Sequence, residues 1–356
     1  MVLTVKVAVV EFEREAEHES LEQALELIGG LDDLNTLKKP VIVKVGVFSH
    51  KADNHASVRA VGAITRVFDK APRVMLAESD NYQGTGLERL QIWKELYTGR
   101  VAPLNLSDES DPVKVKLAGQ EVDLPRVLLG QKVLVDTHIL RSFDKGSILK
   151  NLFGCILDSK RIKYHKILPA LLADVYEAIG GVDLAVVDGT YFWQGAGKNP
   201  VPMNTLVVGK DAVAVETVGA ALAGLEPSKM PVLQEFVKRG LGEGALENIE
   251  IAGTSFEDLE KKFESAVAAQ KRQNRRQSGP VTWGGKANRA LESLIQEGFF
   301  SEPRGRTLED VVKLLERRGL PVEGRERKIA DALARRVRKG VLKRCKSVDG
   351  QIRWIS

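Results

Sequence analysis

One stretch of the chain, residues 136–165, gathers side chains able to do chemistry: DTHILRSFDKGSILKNLFGCILDSKRIKYH carries Asp136, His138, Lys150, Asn151, Lys160 and His165. Only five histidines occur in the whole chain, and two of them flank this Lys-Asn pair. Imidazole titrates near neutrality and binds divalent metals when neutral, so His138 and His165 are candidates for proton transfer or metal ligation. Lys150, with Lys44 and Lys198, suits the holding of a carboxylate or phosphate, each ammonium acting as a point charge in a partly desolvated cleft. The plainer reading is that Lys150 anchors a loop and Asn151 caps a turn. Asp136, Asp188 and Asp211 each follow an expected strand, where carboxylates meet a cleft. If all three converge with a histidine they suit a hard or borderline divalent ion, with Asp136 and Asp211 as ligands and Asp188 orienting or ligating. An Asp-Gly turn after a strand is also ordinary loop punctuation. Gly195 and Gly197 let backbone amides approach an anion, and Asn204 follows. This is not a P-loop, because Lys198 is followed by Asn199, and no GxGxxG follows the first strand.

These side chains need a scaffold, and the chain before and after them alternates apolar β-rich runs with helical periodicity. VLTVKVAVV at 2–10, VIVKVGV at 41–47, RVMLAE at 73–78, residues 132–136, VDLAVV at 182–187 and Thr205–Val208 read as strands. Helical patterns lie between them: Leu21, Leu25 and Ile28; Val58, Val61 and Phe68 behind a Ser57 cap; Leu87, Leu90 and Trp93. Strand, polar loop and helix in alternation predict a layered α/β domain with loops gathered at the carboxyl ends of the strands. Residues 100–130 predict an inserted hairpin around Val113–Leu117. A last helix is expected from the Ser255-x-x-Asp258 box.

Charge divides the chain. Residues 271–356 hold 22 Lys and Arg against 10 Asp and Glu, leaving 31 against 38 in residues 1–270 of totals of 53 and 48. Three segments are therefore expected: an α/β domain over 1–270, a basic linker over 271–285 (KRQNRRQSGPVTWGG), and a C-terminal domain over 286–356. In the last, three short helices and a hairpin marked by Asp349-Gly350 read as a winged helix-turn-helix. Its third helix carries Arg327, Lys328, Arg335, Arg336, Arg338 and Lys339, and the hairpin adds Lys343 and Arg344. Such a surface suits DNA or RNA phosphates; the plainer reading is a solvated basic face. No apolar run approaches the roughly 18 to 20 residues of a membrane span and no secretory leader is evident, so a cytoplasmic protein is expected. The two cysteines, Cys155 and Cys345, show no metal or cluster spacing, and no iron–sulfur cluster is expected.

At the central stretch the chain resembles the family catalogued as domain of unknown function 362. The residues that carry the resemblance are LKNLFG at 149–154, Lys160, His165, VVDG at 186–189, Gly195, Gly197, Asn204, Lys210-Asp211-Ala-Val-Ala-Val and Gly240-Leu-Gly242, covering about residues 1–250 with the Lys44 strand. It departs from the family at Lys44-Val45-Gly46, where Lys-Pro-Asn is typical, at Asp136, where a lysine is common, and at Glu216, where an aspartate is common. Ferredoxin-type cysteine clusters of many relatives are absent, so their implied electron-transfer role does not carry over. The C-terminal module resembles winged-helix domains of archaeal proteins, which implies an archaeal origin. The combined expectation is an anionic-ligand or metal-assisted catalytic cleft formed by segments 44–55, 78–81, 136–165, 188–204 and 211–216, joined to a basic winged helix. The alternative is a nucleic-acid-binding regulator or structural factor whose α/β domain is a ligand sensor or catalytically silent.

Overall fold

The computed structural model describes residues 4–49, 54–194, 200–278, 283–302, 304–347 and 350–356. Met1–Gln270 and Lys271–Ser356 form two compact units.

The first unit is built on an eight-stranded sheet of order β10-β1-β9-β8-β7-β2-β3-β4. The strands are β1 (Val5–Glu11), β2 (Val41–Val45), β3 (Val74–Glu78), β4 (Val101–Asn105), β7 (Val133–Ser142), β8 (Leu184–Gln194), β9 (Val201–Gly209) and β10 (Ile249–Gly253), while β5 (Val113–Leu117) and β6 (Gln120–Leu124) pair apart as a hairpin. Only β9 runs against its neighbours, pairing antiparallel with β1 and β8; the other pairs are parallel. Both faces are covered, which explains the near-continuous Val, Ile and Leu runs in the strands. Helices Leu168–Ala178, Ala212–Leu222 and Pro231–Lys238 pack on one face around Ile42, Leu134 and Val187. Helices Glu17–Leu27 and Val58–Val67 cover the other, around Val43, Val135 and Val186.

Two strands run further than their sequence cores suggest. β7 continues through Thr137-His138-Ile139-Leu140 to Ser142, and β8 through Thr190-Tyr191-Phe192-Trp193 to Gln194. Their β-branched and aromatic residues favour a pleated strand over a loop. Asp136 and His138 consequently lie within a central strand, not at its end.

The second unit holds helices Trp283–Gln296, Leu308–Arg317 and Glu326–Arg338, with a small antiparallel sheet ordered β11 (Arg306–Thr307), β13 (Ile352–Ile355), β12 (Lys343–Lys346). Leu291, Leu294, Phe300, Leu315, Ile329, Leu333 and Trp354 form its core. Asp349 of the hairpin signal lies outside the described residues. The expected linker differs: the Phe256–Ser278 helix runs through its first eight positions. KRQNRRQS has neither glycine nor proline before Gly279-Pro280, and its long straight-chain residues tolerate a helix.

Candidate anion-binding site

Lys44 on β2 and Asp136 on β7 are register partners. Ala77, Ala185 and Gly209 continue their row across β3, β8 and β9. Small residues on both sides leave room for the Ile148–Cys155 segment to descend onto the sheet. Asn151 from that segment donates to Asp136 Oδ1 at 2.6 Å and to the Lys44 carbonyl at 3.1 Å. Its own Oδ1 accepts from Lys44 Nζ at 3.1 Å. The ammonium also bonds Glu78 Oε1 at 2.8 Å and the Val45 carbonyl at 3.2 Å, so all three of its protons are engaged. Glu78 is shared with Arg89 at 3.0 Å. Lys44 is fully buried. The expectation that Lys44 and Asn151 hold an external ligand is therefore corrected: they are internal struts of a buried ion network.

Gly154 closes this network from above, since a Cβ there would meet Lys44 Nζ at 2.8 Å. Asp136 Oδ2 is buried with no hydrogen-bond partner. Burial pushes its carboxyl up to about 8, against the downward pull of the Asn151 bond and Lys44. His138, two residues on, lies over Gly46, where a Cβ would fall 2.2 Å from its ring. Burial, then Arg141, Lys150 and Lys44, hold its imidazole well below the ordinary range, and Nδ1 accepts the Ile139 amide at 2.7 Å. The ring is neutral, with its proton on Nε2. Cys155, buried nearby, has its thiol pushed up to about 12 by burial and is inert.

A cluster of cations stands around two phenylalanine rings. Arg141 lies 4.8 Å from the Phe143 ring centre, and Lys150 Nζ lies 5.8 Å from Phe143 and 5.7 Å from Phe153. His165 stacks against Phe153 at 5.7 Å. Burial lowers the Lys150 amine to about 8, and Arg141, Lys145, Arg161 and Lys44 add to the effect. Burial likewise brings Arg141 down to about 10 and lowers His165, the latter with help from Lys145 and Lys150. Among the described residues no ion pair reaches Lys150, and Arg141 Nε is buried without a partner. The carboxylate facing Arg141, Glu216, is already committed: it accepts the Ser147 amide at 2.8 Å and the Leu149 amide at 2.9 Å, fixing the start of the Ile148–Asn151 helix. What remains is a half-buried positive site with an aromatic floor.

The other sequence candidates are placed elsewhere. Asp188 belongs to the opposite face of the sheet, where it accepts the Ser57 amide at 2.6 Å and the Thr190 amide at 2.8 Å. Asn204 adopts φ 47° beside a cavity on that side. Asp211 caps the Ala212–Leu222 helix, accepting from Val213 and Ala214. It follows β9, the one reversed strand, and so sits at the other edge of the sheet from the ends of β7 and β8. The three aspartates do not converge, which corrects the expected metal pairing of Asp136 with Asp211. Among the described residues, no group of three or more His, Cys, Asp or Glu side chains is placed to hold a metal ion. Gly195, Gly197 and Lys198 lie outside the described residues. In the second unit Arg327, Lys328, Arg335, Arg338, Lys339, Lys343 and Arg344 are exposed. Arg336 differs: it is buried, bonding the Asn288 carbonyl at 2.9 Å and the Ala332 carbonyl at 3.2 Å, so it is removed from the nucleic-acid set.

Sequence reading placed segments 78–81 and 136–165 at the cleft but gave no role to Glu78, Arg141 or Lys145, and it left Arg89 out. Arg141 and Lys145 were within reach, since they share the Lys150 stretch with few acids. Glu78 and Arg89 were not, because nothing local signals a partner on another strand.

The family model described as Domain of unknown function (DUF362) matches residues 41–221. No curated protein matches the chain. Among solved structures it is similar to the lactate racemase apoprotein from Thermoanaerobacterium thermosaccharolyticum, at 12% identity over 93% of this chain and 80% of that one, with a TM-score of 0.42. No helix among the described residues is long and apolar enough to cross a membrane.

Proposed function

The chain belongs to the DUF362 family, and from that premise we propose that its α/β unit binds a small carboxylate or phosphate ligand between Arg141, Lys145, Lys150 and His165. The observation that carries this reading is the Lys150 amine, partly buried among cations and in no ion pair among the described residues. Like charges held together off solvent are costly, and an anion among them recovers the cost through charge-assisted hydrogen bonds. An amine titrating at about 8 also exists in both forms near neutral pH, which suits a proton carrier acting on the bound ligand. Lys150 takes that part in place of His138, whose buried ring is packed against Gly46 with Nδ1 already accepting the Ile139 amide. Calorimetric titration of the full chain with inorganic phosphate and with acetate tests the site. Lys150→Ala and Arg141→Ala are expected to weaken binding roughly 10- to 100-fold each, and Lys150→Arg to retain most of it. Undiminished binding by both alanine variants contradicts the site.

A second reading concerns the second unit, where the three helices and three short strands support a winged helix. Its exposed cations on the Glu326–Arg338 helix and on β12 support contact with nucleic-acid phosphates. Duplex binding that falls steeply with salt, and that is lost in an Arg335→Glu, Arg338→Glu, Lys343→Glu triple variant, is expected. Salt-independent binding, or binding unaffected by the triple variant, argues against it.

A further inference from the structure

A cavity of about 630 Å³ opens on the face of the sheet opposite the Lys150 cluster. Its lining includes Arg14, Glu17, Arg59, Glu95, Tyr191 and Asn204. We propose that this cavity binds a small organic cation bearing a primary ammonium or guanidinium group, with Glu17 as its anchor.

Glu17 opens the Glu17–Leu27 helix yet is only 3% exposed. Acidic residues in a first helical turn are ordinary, because they complement the helix dipole, but they are ordinarily solvated. This one is covered, lines a cavity, and has no ion pair or hydrogen bond to another side chain among the described residues. The obvious cation, Arg59, is bound at 2.6 Å to Glu15. Setting that pair aside, the charged residues left in the lining are Glu17, Glu95 and Arg14, so the cavity carries an excess of negative charge. The hydrogen bond of Glu17 is to its own backbone amide, and a buried carboxylate with no ion pair costs free energy that a cationic ligand returns. Burial raises the Glu17 carboxyl, and Asp188 and Glu15 add to the rise; the hydrogen bond from its own amide and the nearby Arg59 oppose it.

The walls are prepared for a ligand. Asp188 accepts the Ser57 amide with one oxygen and the Thr190 amide and hydroxyl with the other, tying the start of the Val58–Val67 helix to β8. Tyr191, 49% exposed, is the aromatic residue of the lining, and an aromatic ring attracts a cation over its face. Of three left-handed non-glycine residues among those described, two line this cavity: Glu15 at φ 73° and Asn204 at φ 47°. Strain of this kind persists where surrounding contacts hold it, and it gathers at ligand sites.

The test is calorimetric titration of the full chain with putrescine and agmatine, set against 1,4-butanediol and succinate. Saturable binding of at least one of the two cations, with none of the diol or the diacid, is expected. Glu17→Gln should weaken it by roughly tenfold or more, while phosphate binding at Lys150 is unchanged. Tyr191→Ala, a rim change that leaves the fold intact, should weaken it several-fold. Circular dichroism reports whether Glu17→Gln folds; if it does not, Glu17→Asp and Tyr191→Ala carry the test. Equal heats from cation and diol, or folded variants that bind as the parent does, overturn the proposal. Because the two sites lie on opposite faces, failure of one titration leaves the other informative.

Discussion

Lys44 and Asp136 face each other on adjacent parallel strands and both are fully buried, yet they form no ion pair. The Lys44 ammonium turns to Glu78 and Asn151, and Asp136 Oδ2 is left without a hydrogen bond. The stretch that looked most like a catalytic loop is therefore, at its base, a buried polar brace.

Asp136 should impose a pH dependence on stability. Its carboxyl rises from 3.8 to about 8 on burial, so the folded state keeps a proton that the unfolded chain releases. The stabilisation is complete below about pH 4 and is lost as pH rises towards 8, at up to roughly 1.4 kcal/mol per unit. Asp136→Asn removes this loss and is expected to be more stable than wild type at pH 8 by about 1–3 kcal/mol. Urea unfolding of both proteins at about pH 5 and 8 checks it. Curves that stay parallel across that range contradict a protonated Asp136.

Lys150 should stand out among the lysines in chemical labelling. With an amine at about 8 against an ordinary value near 10.4, its unprotonated fraction at neutral pH is far larger. Competitive acetylation followed by peptide mass spectrometry should return an apparent pKa near 8 at this position, and phosphate should raise it. An ordinary titration would mean that the amine is solvated.

Gly46→Ala should push His138 off its seat, since the new Cβ would fall 2.2 Å from the ring. Overpacking of this sort costs about 1–3 kcal/mol. In the His138→Ala background the same change should cost much less. A double-mutant cycle by thermal or urea unfolding measures the difference, and additive effects would show that the two residues do not press on each other.

Arg336 and its exposed neighbours should separate cleanly. Arg336→Ala removes the buried guanidinium and its bonds to the Asn288 and Ala332 carbonyls and is expected to destabilise the second unit by about 1–3 kcal/mol. Arg335→Ala and Arg338→Ala should leave unfolding unchanged, within about 0.5 kcal/mol. If the three variants unfold alike, the burial of Arg336 carries no energetic weight.

The alternation of strands and helices, the inserted hairpin and the charge division between residues 1–270 and 271–356 were legible in the chain because each rests on local period or composition. The ends of β7 and β8 were less so. Thr137-His138-Ile139 and Tyr191-Phe192-Trp193 follow the apolar cores of their strands without a turn signal, and only pairing with neighbours shows that they remain in the sheet.

The candidate site divides along the same line. By itself the sequence determined that ionisable and amide side chains gather in one segment, since Lys150, Lys160, His138, His165 and Asn151 all fall within residues 136–165. Tertiary structure alone decided which of them are available. It spends Lys44 on Glu78 and Asn151, turns Asp188 to the far face, sets Asp211 at the opposite edge, and leaves Lys150 beside Arg141 with no ion pair among the described residues. Face follows from strand register and edge from strand direction. Both are relations between segments distant in sequence, so no local pattern can encode them.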